Sequence, residues 1–165
     1  MNLDATLTRS GEYWVLTMTR ELPHPVESVW AWLTDPDRLR RWSPVVPDRA
    51  LERVGPADIQ EDPDAAVLDG EVLAVDPPRE LVHRWGADDV LQWRLTPTAA
   101  GCRLMLDHSM PSPEASSRMA AGWHLCLDVL AGTIDAPARR RVAGAAATEI
   151  GLDSLRDAYS ARLGA

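Results

Sequence analysis

The chain has 165 residues, a hydrophobic fraction of 45% and a formal net charge of −8. That length and apolar content suit one domain with its own core, and the acidic balance argues against general binding to nucleic-acid phosphates. Aromatic surface comes almost wholly from tryptophan, with seven Trp, two Tyr and no Phe.

The N-terminus, MNLDATLTRSGEYW, has no basic segment leading into an apolar core, so no secretory signal is expected. No apolar stretch reaches the length of a membrane span. Cys102 and Cys126 lack a zinc or redox spacing and lie in apolar periodic segments. Buried free thiols in a reducing, cytoplasmic setting are the expectation.

Glu12 to Glu21 alternates Tyr13, Val15 and Thr17 with Trp14, Leu16 and Met18, which predicts a strand. Pro23-His24-Pro25 ends it. Val26, Val29, Trp30 and Leu33 then form one helical stripe, with Trp32 pointing elsewhere. Thr34-Asp35-Pro36 stops that helix and opens a second, short one, with Asp35 as its cap and Leu39 and Trp42 on its inner face. Ala50 to Val54 is a weak strand candidate, and Gly55 to Ala65 reads as an acidic loop. Strands are predicted over Ala66–Asp76, Glu80–Trp85, Val90–Thr96 and Cys102–Met110, each closed by a short turn, which implies an antiparallel meander. Pro111-Ser112-Pro113 breaks the pattern before a long helix from about Glu114 to Ile134, with Met119, Trp123, Cys126 and Leu130 in its stripe. Arg139-Arg140-Arg141 reads as a solvated loop. A final amphipathic helix is predicted over Thr148–Leu163, joined by an Ala/Gly linker. The element order predicts an α+β fold, with the long helix packed on a curved antiparallel sheet. It contains no βαβ repeat of the dinucleotide-binding kind.

Several of these segments, in this order, resemble one family. They are the Val26–Trp30 stripe with Leu33-Thr34-Asp35-Pro36, Leu39 and Trp42-Ser43-Pro44; Gly70-Glu71-Val72 with Asp76 to Val82; Trp85, Val90, Trp93 and Leu95; and Gly122-Trp123-His124 with Leu127 and Leu130. Across roughly residues 12 to 135 the chain resembles the bacterial branch similar to the C-terminal domain of the activator of the heat-shock 90 ATPase. That branch belongs to the START-like, polyketide cyclase/dehydrase (SRPBCC) superfamily. The resemblance implies a helix-grip fold, a curved antiparallel sheet around a long C-terminal helix, with two short helices after the first strand. It also implies a hydrophobic cavity between sheet and helix, in a superfamily whose members bind lipids, sterols, polyketides or other apolar ligands. Residues 1–136 are expected to form this domain. Residues 137–165 are expected to be a linker and a helix packed on the same domain or on a partner subunit, which allows a homodimer. The stretch 49–65 departs from the family pattern. It lacks the paired glycines usual there and carries Glu52-Arg53-Val54-Gly55-Pro56 instead.

Trp30, Trp85, Trp93 and Trp123 are the cavity candidates, with Met119 and His83 beside them. Large aromatics also simply fill cores, but an indole offers an apolar face with one polar handle. His83, His108 and His124 are of the residue type suited to proton transfer, yet each is better read as an ordinary hydrogen-bonded or surface histidine. Together they lack metal-ligand spacing, so neither a metal nor a cofactor is expected. Asp69, Glu71, Asp107 and Arg94 lie in strands and fit either a solvated face or a polar contact to a ligand. No GxSxG elbow, phosphate-binding glycine loop or HExxH is present, so no catalytic residues are assigned. Three functions stay open. The leading one is noncatalytic binding of a small apolar or amphipathic molecule. The others are cyclase/aromatase-like or hydrolytic chemistry in the same cavity, and protein interaction, including a chaperone-regulating role.

Overall fold

The structure is a computed structural model and describes residues 3–136 and 151–164. It begins with a hairpin. β1 (Ala5–Ser10) turns through Gly11, at φ +62°, into β2 (Tyr13–Leu22). Glycine suits that left-handed position because it carries no β-carbon. Only Ala5 of β1 is fully buried, so this strand has little of the apolar alternation by which β2 is recognised.

α1 (Val26–Thr34) follows, with Pro25 as its extended N-cap. The predicted stripe is buried as expected, but Trp32 is buried as well. Its carbonyl accepts the indole N–H of Trp42 at 2.9 Å, and the guanidinium groups of Arg38 and Arg41 lie 5.4 and 5.5 Å from its ring centre. α2 (Pro36–Leu39) starts on the Asp35 cap, whose carboxylate accepts the Asp37 N–H at 2.9 Å.

The small strands β3 (Val46–Pro47), β4 (Asp58–Gln60) and β5 (Leu68–Asp69) form a separate antiparallel sheet in that order. Ala50–Val54 is not a strand. Two of its carbonyls, those of Ala50 and Arg53, accept from one side chain instead of from a neighbouring strand. Arg49 donates to the carbonyls of Ala50, Arg53, Gly55 and Pro56 at 2.8 to 3.0 Å. The strand expected over Ala66–Asp76 is also divided. β5 pairs with β4, while β6 (Val72–Asp76) pairs with β7 (Glu80–Trp85). Gly70 sits at the break, so close to β4 that an added β-carbon would lie 2.4 Å from Cγ2 of Ile59.

β8 (Asp89–Thr98) and β9 (Gly101–Met110) complete a six-stranded antiparallel sheet of order β1-β2-β9-β8-β7-β6. After a 3-10 turn at Pro113–Ala115, α3 (Ser116–Asp135) crosses one face of this sheet. Ala120, Trp123, Cys126, Leu127 and Leu130 of α3 are buried in one cluster with Leu16, Leu81, Leu91, Trp93, Leu104 and Leu106 of the sheet. Alternation therefore presents one apolar face to the helix. This is the helix-grip arrangement. Cys102 and Cys126 are both buried, and neither is in a disulfide.

α4 (Leu152–Leu163) packs on α3 and β1. Leu155 and Tyr159 are its buried residues, and Arg162 donates to the Ala5 carbonyl at 3.1 Å. The Tyr159 hydroxyl and Nδ1 of His124 share a hydrogen bond of 2.8 Å, and Nε2 of that ring faces Asp128 at 3.3 Å. The predicted linker, the triple arginine and the start of the last predicted helix lie outside the described residues.

Among the described glycines the tightest approach to main chain is at Gly101, which opens β9 at φ +153°. A β-carbon there would meet the Leu22 carbonyl oxygen at 2.2 Å and the His24 nitrogen at 2.5 Å. Gly101→Ala is expected to lower stability by about 3 kcal/mol or more, combining backbone strain with a clash against main chain. A urea-unfolding midpoint unchanged from wild type would contradict this.

Candidate functional site

The covered face of the sheet carries a cluster of indoles and imidazoles. Register explains it. Leu81, His83 and Trp85 of β7 pair with Trp93, Leu91 and Asp89 of β8, so alternate residues of both strands point to α3. His108 of β9 pairs with Leu91 and joins the same face. Trp123 descends from α3 onto it. Its ring centre lies 5.2 Å from Trp85 and 5.4 Å from Trp93, edge to face in both cases. Trp42 meets Trp93 at 5.8 Å and 90°.

Two buried indole N–H groups are satisfied by two buried histidines. Trp93 Nε1 donates to His83 Nε2 at 3.2 Å. Trp123 Nε1 donates to His108 Nδ1 at 3.0 Å. An indole nitrogen can only donate, so each accepting ring nitrogen is unprotonated. The proton of His83 therefore sits on Nδ1, which donates to the Arg84 carbonyl at 3.1 Å. That of His108 sits on Nε2 and points to Oδ2 of Asp89 at 2.7 Å. Both rings are neutral in this arrangement. Burial lowers the His83 pKa to about 4; His108 nearby lowers it too, while the Arg84 carbonyl acts in the opposite direction.

Beside this cluster lies a cavity of about 20 Å³, room for roughly one water molecule. His83, Leu91, Trp93 and Trp123 line it from the sheet and α3. The chain between Leu33 and Ile59 lines the rest, with Leu39, Trp42, Ser43 and Leu51 among its contributions. Among the described residues that line the cavity, none is Asp, Glu, Lys or Arg. This second wall is a lid built from short elements. Leu51 N–H donates to the Thr34 carbonyl at 3.0 Å, Arg49 gathers the loop carbonyls, and Gly55 exchanges two backbone hydrogen bonds with Val72.

Of the residues singled out from sequence, the structure brings His83, Trp93 and Trp123 together at the cavity. Trp85 packs on Trp123 and His108 behind them. Trp30 is buried in the core, and Met119 is half-buried at its edge; neither lines the cavity. Trp42, Leu51 and Ile59 of the lid line it without having been singled out. Trp42 had a signal, an inward-facing tryptophan beside Ser43-Pro44, but Leu51 and Ile59 lie in a stretch with no periodicity to read. The strand carboxylates are elsewhere. Asp69 and Glu71 face Arg84 at 3.7 and 3.4 Å. Asp107 accepts from Thr17 at 2.6 Å and pairs with Arg94 on the sheet's outer face. Among the described residues, no group of three or more His, Cys, Asp or Glu is placed to hold a metal ion, and no helix is long and apolar enough to cross a membrane.

Two consequences can be measured. His83 has an ordinary pKa of 6.5 when unfolded and about 4 when folded. Between those values the unfolded chain takes up a proton that the folded protein does not. Stability from this group is thus complete above pH 6.5 and falls as the pH drops towards 4, by roughly 3 kcal/mol at most. Urea midpoints measured across that range should fall for wild type and fall less for His83→Gln; parallel curves would remove His83 as the cause. Arg49→Met is expected to speed amide exchange in residues 50–56 by about tenfold or more while leaving β8 and β9 protected. Unchanged exchange in that loop would show that the Arg49 bonds do not hold it.

Comparison with known proteins agrees with this architecture. CalU16 from Micromonospora echinospora is similar with a TM-score of 0.72 at 21% identity, over 98% of this chain and 96% of that one. The conserved protein EF2215 from Enterococcus faecalis is similar with a TM-score of 0.77 at 18% identity, over 97% of this chain and 90% of that one. DynU16, a protein of the dynemicin biosynthetic locus, is similar with a TM-score of 0.67 at 25% identity, over 74% of this chain and 48% of that one. No curated protein matches in sequence. The family described as Activator of Hsp90 ATPase homolog 1-like protein matches residues 23–135, from the end of β2 to the end of α3. That is well over half of the chain, and the chain belongs to this family.

Proposed function

We propose that this protein binds and carries a small apolar or amphipathic molecule between the sheet and α3, without transforming it. The observation that carries the reading is the lining of the cavity. It is apolar apart from Ser43 and His83, and His83 is the one titratable side chain among the described lining residues. A general acid or base has to exchange a proton near neutrality. His83 has both nitrogens engaged and a pKa of about 4. The lining therefore favours binding over acid–base chemistry. DynU16 comes from a biosynthetic locus, and a biosynthetic small molecule fits the same reading here.

At about 20 Å³ the cavity is small, whereas sites for drug-sized ligands enclose roughly 300 Å³ or more. Binding therefore requires the lid to move. The lid is the wall best able to do so, because its strands are only two or three residues long and a single side chain, Arg49, organises its main loop.

A second reading, protein interaction, draws on one observation. Val54 and Leu73 are 63% and 37% exposed. They flank the antiparallel Gly55–Val72 bridge, and so oppose each other at the edge of the main sheet.

Mass spectrometry of protein purified from its native host separates the two. A co-purifying apolar compound near one equivalent per chain is the expected outcome. Finding none, with no protection of residues 43–59 from amide exchange by apolar extracts of that host, would remove the carrier reading and favour the interaction one.

A further inference from the structure

The tryptophans at the cavity have no hydrogen bond to give. Trp42 donates to the Trp32 carbonyl, Trp93 to His83 and Trp123 to His108. An indole has one N–H, so these bonds use the donor capacity of all three rings. The lone pair of His83 Nε2 is occupied by Trp93, and its Nδ1 proton by Arg84. Ser43 Oγ accepts from the Val45 N–H at 3.3 Å. With no Asp, Glu, Lys or Arg in the described lining, nothing there neutralises a buried charge.

We infer that the cavity takes an uncharged, planar aromatic molecule, held by ring faces and aliphatic side chains without a hydrogen bond to Trp42, Trp93 or Trp123. The inference rests on the proposed carrier function and names the ligand class for it. Charge is excluded because an ion buried without a partner loses its hydration and gains nothing in return. This rules out a fatty-acid carboxylate as much as an alkylammonium. Planarity follows from two features. First, the site must open to be filled, and a flat ring needs the least separation, about 3.5 to 4 Å between carbon layers. Second, the indoles already meet edge to face, at 90° for Trp42–Trp93 and 83° for Trp93–Trp123. A flat ring lying parallel to one indole is edge-on to the next, which continues the contact geometry aromatic rings prefer.

The test uses shape-matched probes on the full chain: naphthalene and 2-naphthoate at pH 7.5, by equilibrium dialysis. Leu51→Ala, which enlarges the cavity from the lid, is measured beside wild type. Naphthalene is expected to bind both proteins, and Leu51→Ala more tightly. The naphthoate is expected to bind at least about 100-fold more weakly. In nitrogen-15 spectra of the naphthalene complex, the indole N–H signals of Trp42, Trp93 and Trp123 should stay protected from exchange. Naphthoate binding as tightly as naphthalene, or loss of that protection, would overturn the inference and leave the carrier reading standing. If neither probe binds either protein, the inference is overturned, while the carrier reading stands or falls on the co-purification test above. Leu51→Trp and Ile59→Trp, which fill the cavity, should abolish naphthalene binding; binding retained in a folded variant of either would place the probe elsewhere and overturn the assignment.

Discussion

Two indole N–H groups buried between a sheet and a helix must find acceptors, and the way they do so organises this molecule. Trp93 turns to His83 within the sheet, while Trp123 crosses from α3 to His108. The second bond ties the gripping helix to β9 at a defined point, since an unsatisfied buried donor costs about 1–3 kcal/mol. It continues through His108 to Asp89 at the turn between β7 and β8, where the carboxylate is still in contact with solvent. The chain of bonds thus runs from the surface into the core without leaving a charge unpaired inside it.

The same bonds decide what the interior can do. Both imidazoles accept from an indole, so both are neutral, and neither offers a free nitrogen to a substrate. The cavity that remains is small and apolar. Its chemistry is that of contact and exclusion of water, and its capacity depends on the lid. There the structure relies on a different device, one guanidinium collecting four carbonyls. The same loop is tied to the rest of the molecule by the Leu51–Thr34 bond and the Gly55–Val72 bridge.

Much of the architecture was legible because it rests on periodicity. The stripe through Trp123, Cys126 and Leu130 and the alternation in β7 to β9 follow from how helices and strands point their side chains. The family motifs fell on those same segments. β1 escaped because only one of its residues is fully buried, and a strand that covers little core carries little pattern. The break at Gly70 escaped because Ala66–Asp76 reads as one run. The division lies in which strand each half pairs with, and pairing is a long-range choice.

The sequence by itself determined the fold class and the helix that is gripped. These are local matters of spacing, capping and alternation. Only the tertiary structure decided that the N–H groups of Trp42, Trp93 and Trp123 are consumed, that His83 and His108 are held neutral, and that Trp42, Leu51 and Ile59 line the cavity. Each of these depends on groups far apart in the chain meeting in a low-dielectric interior, where hydrogen-bond direction and desolvation, rather than residue type, set the chemistry.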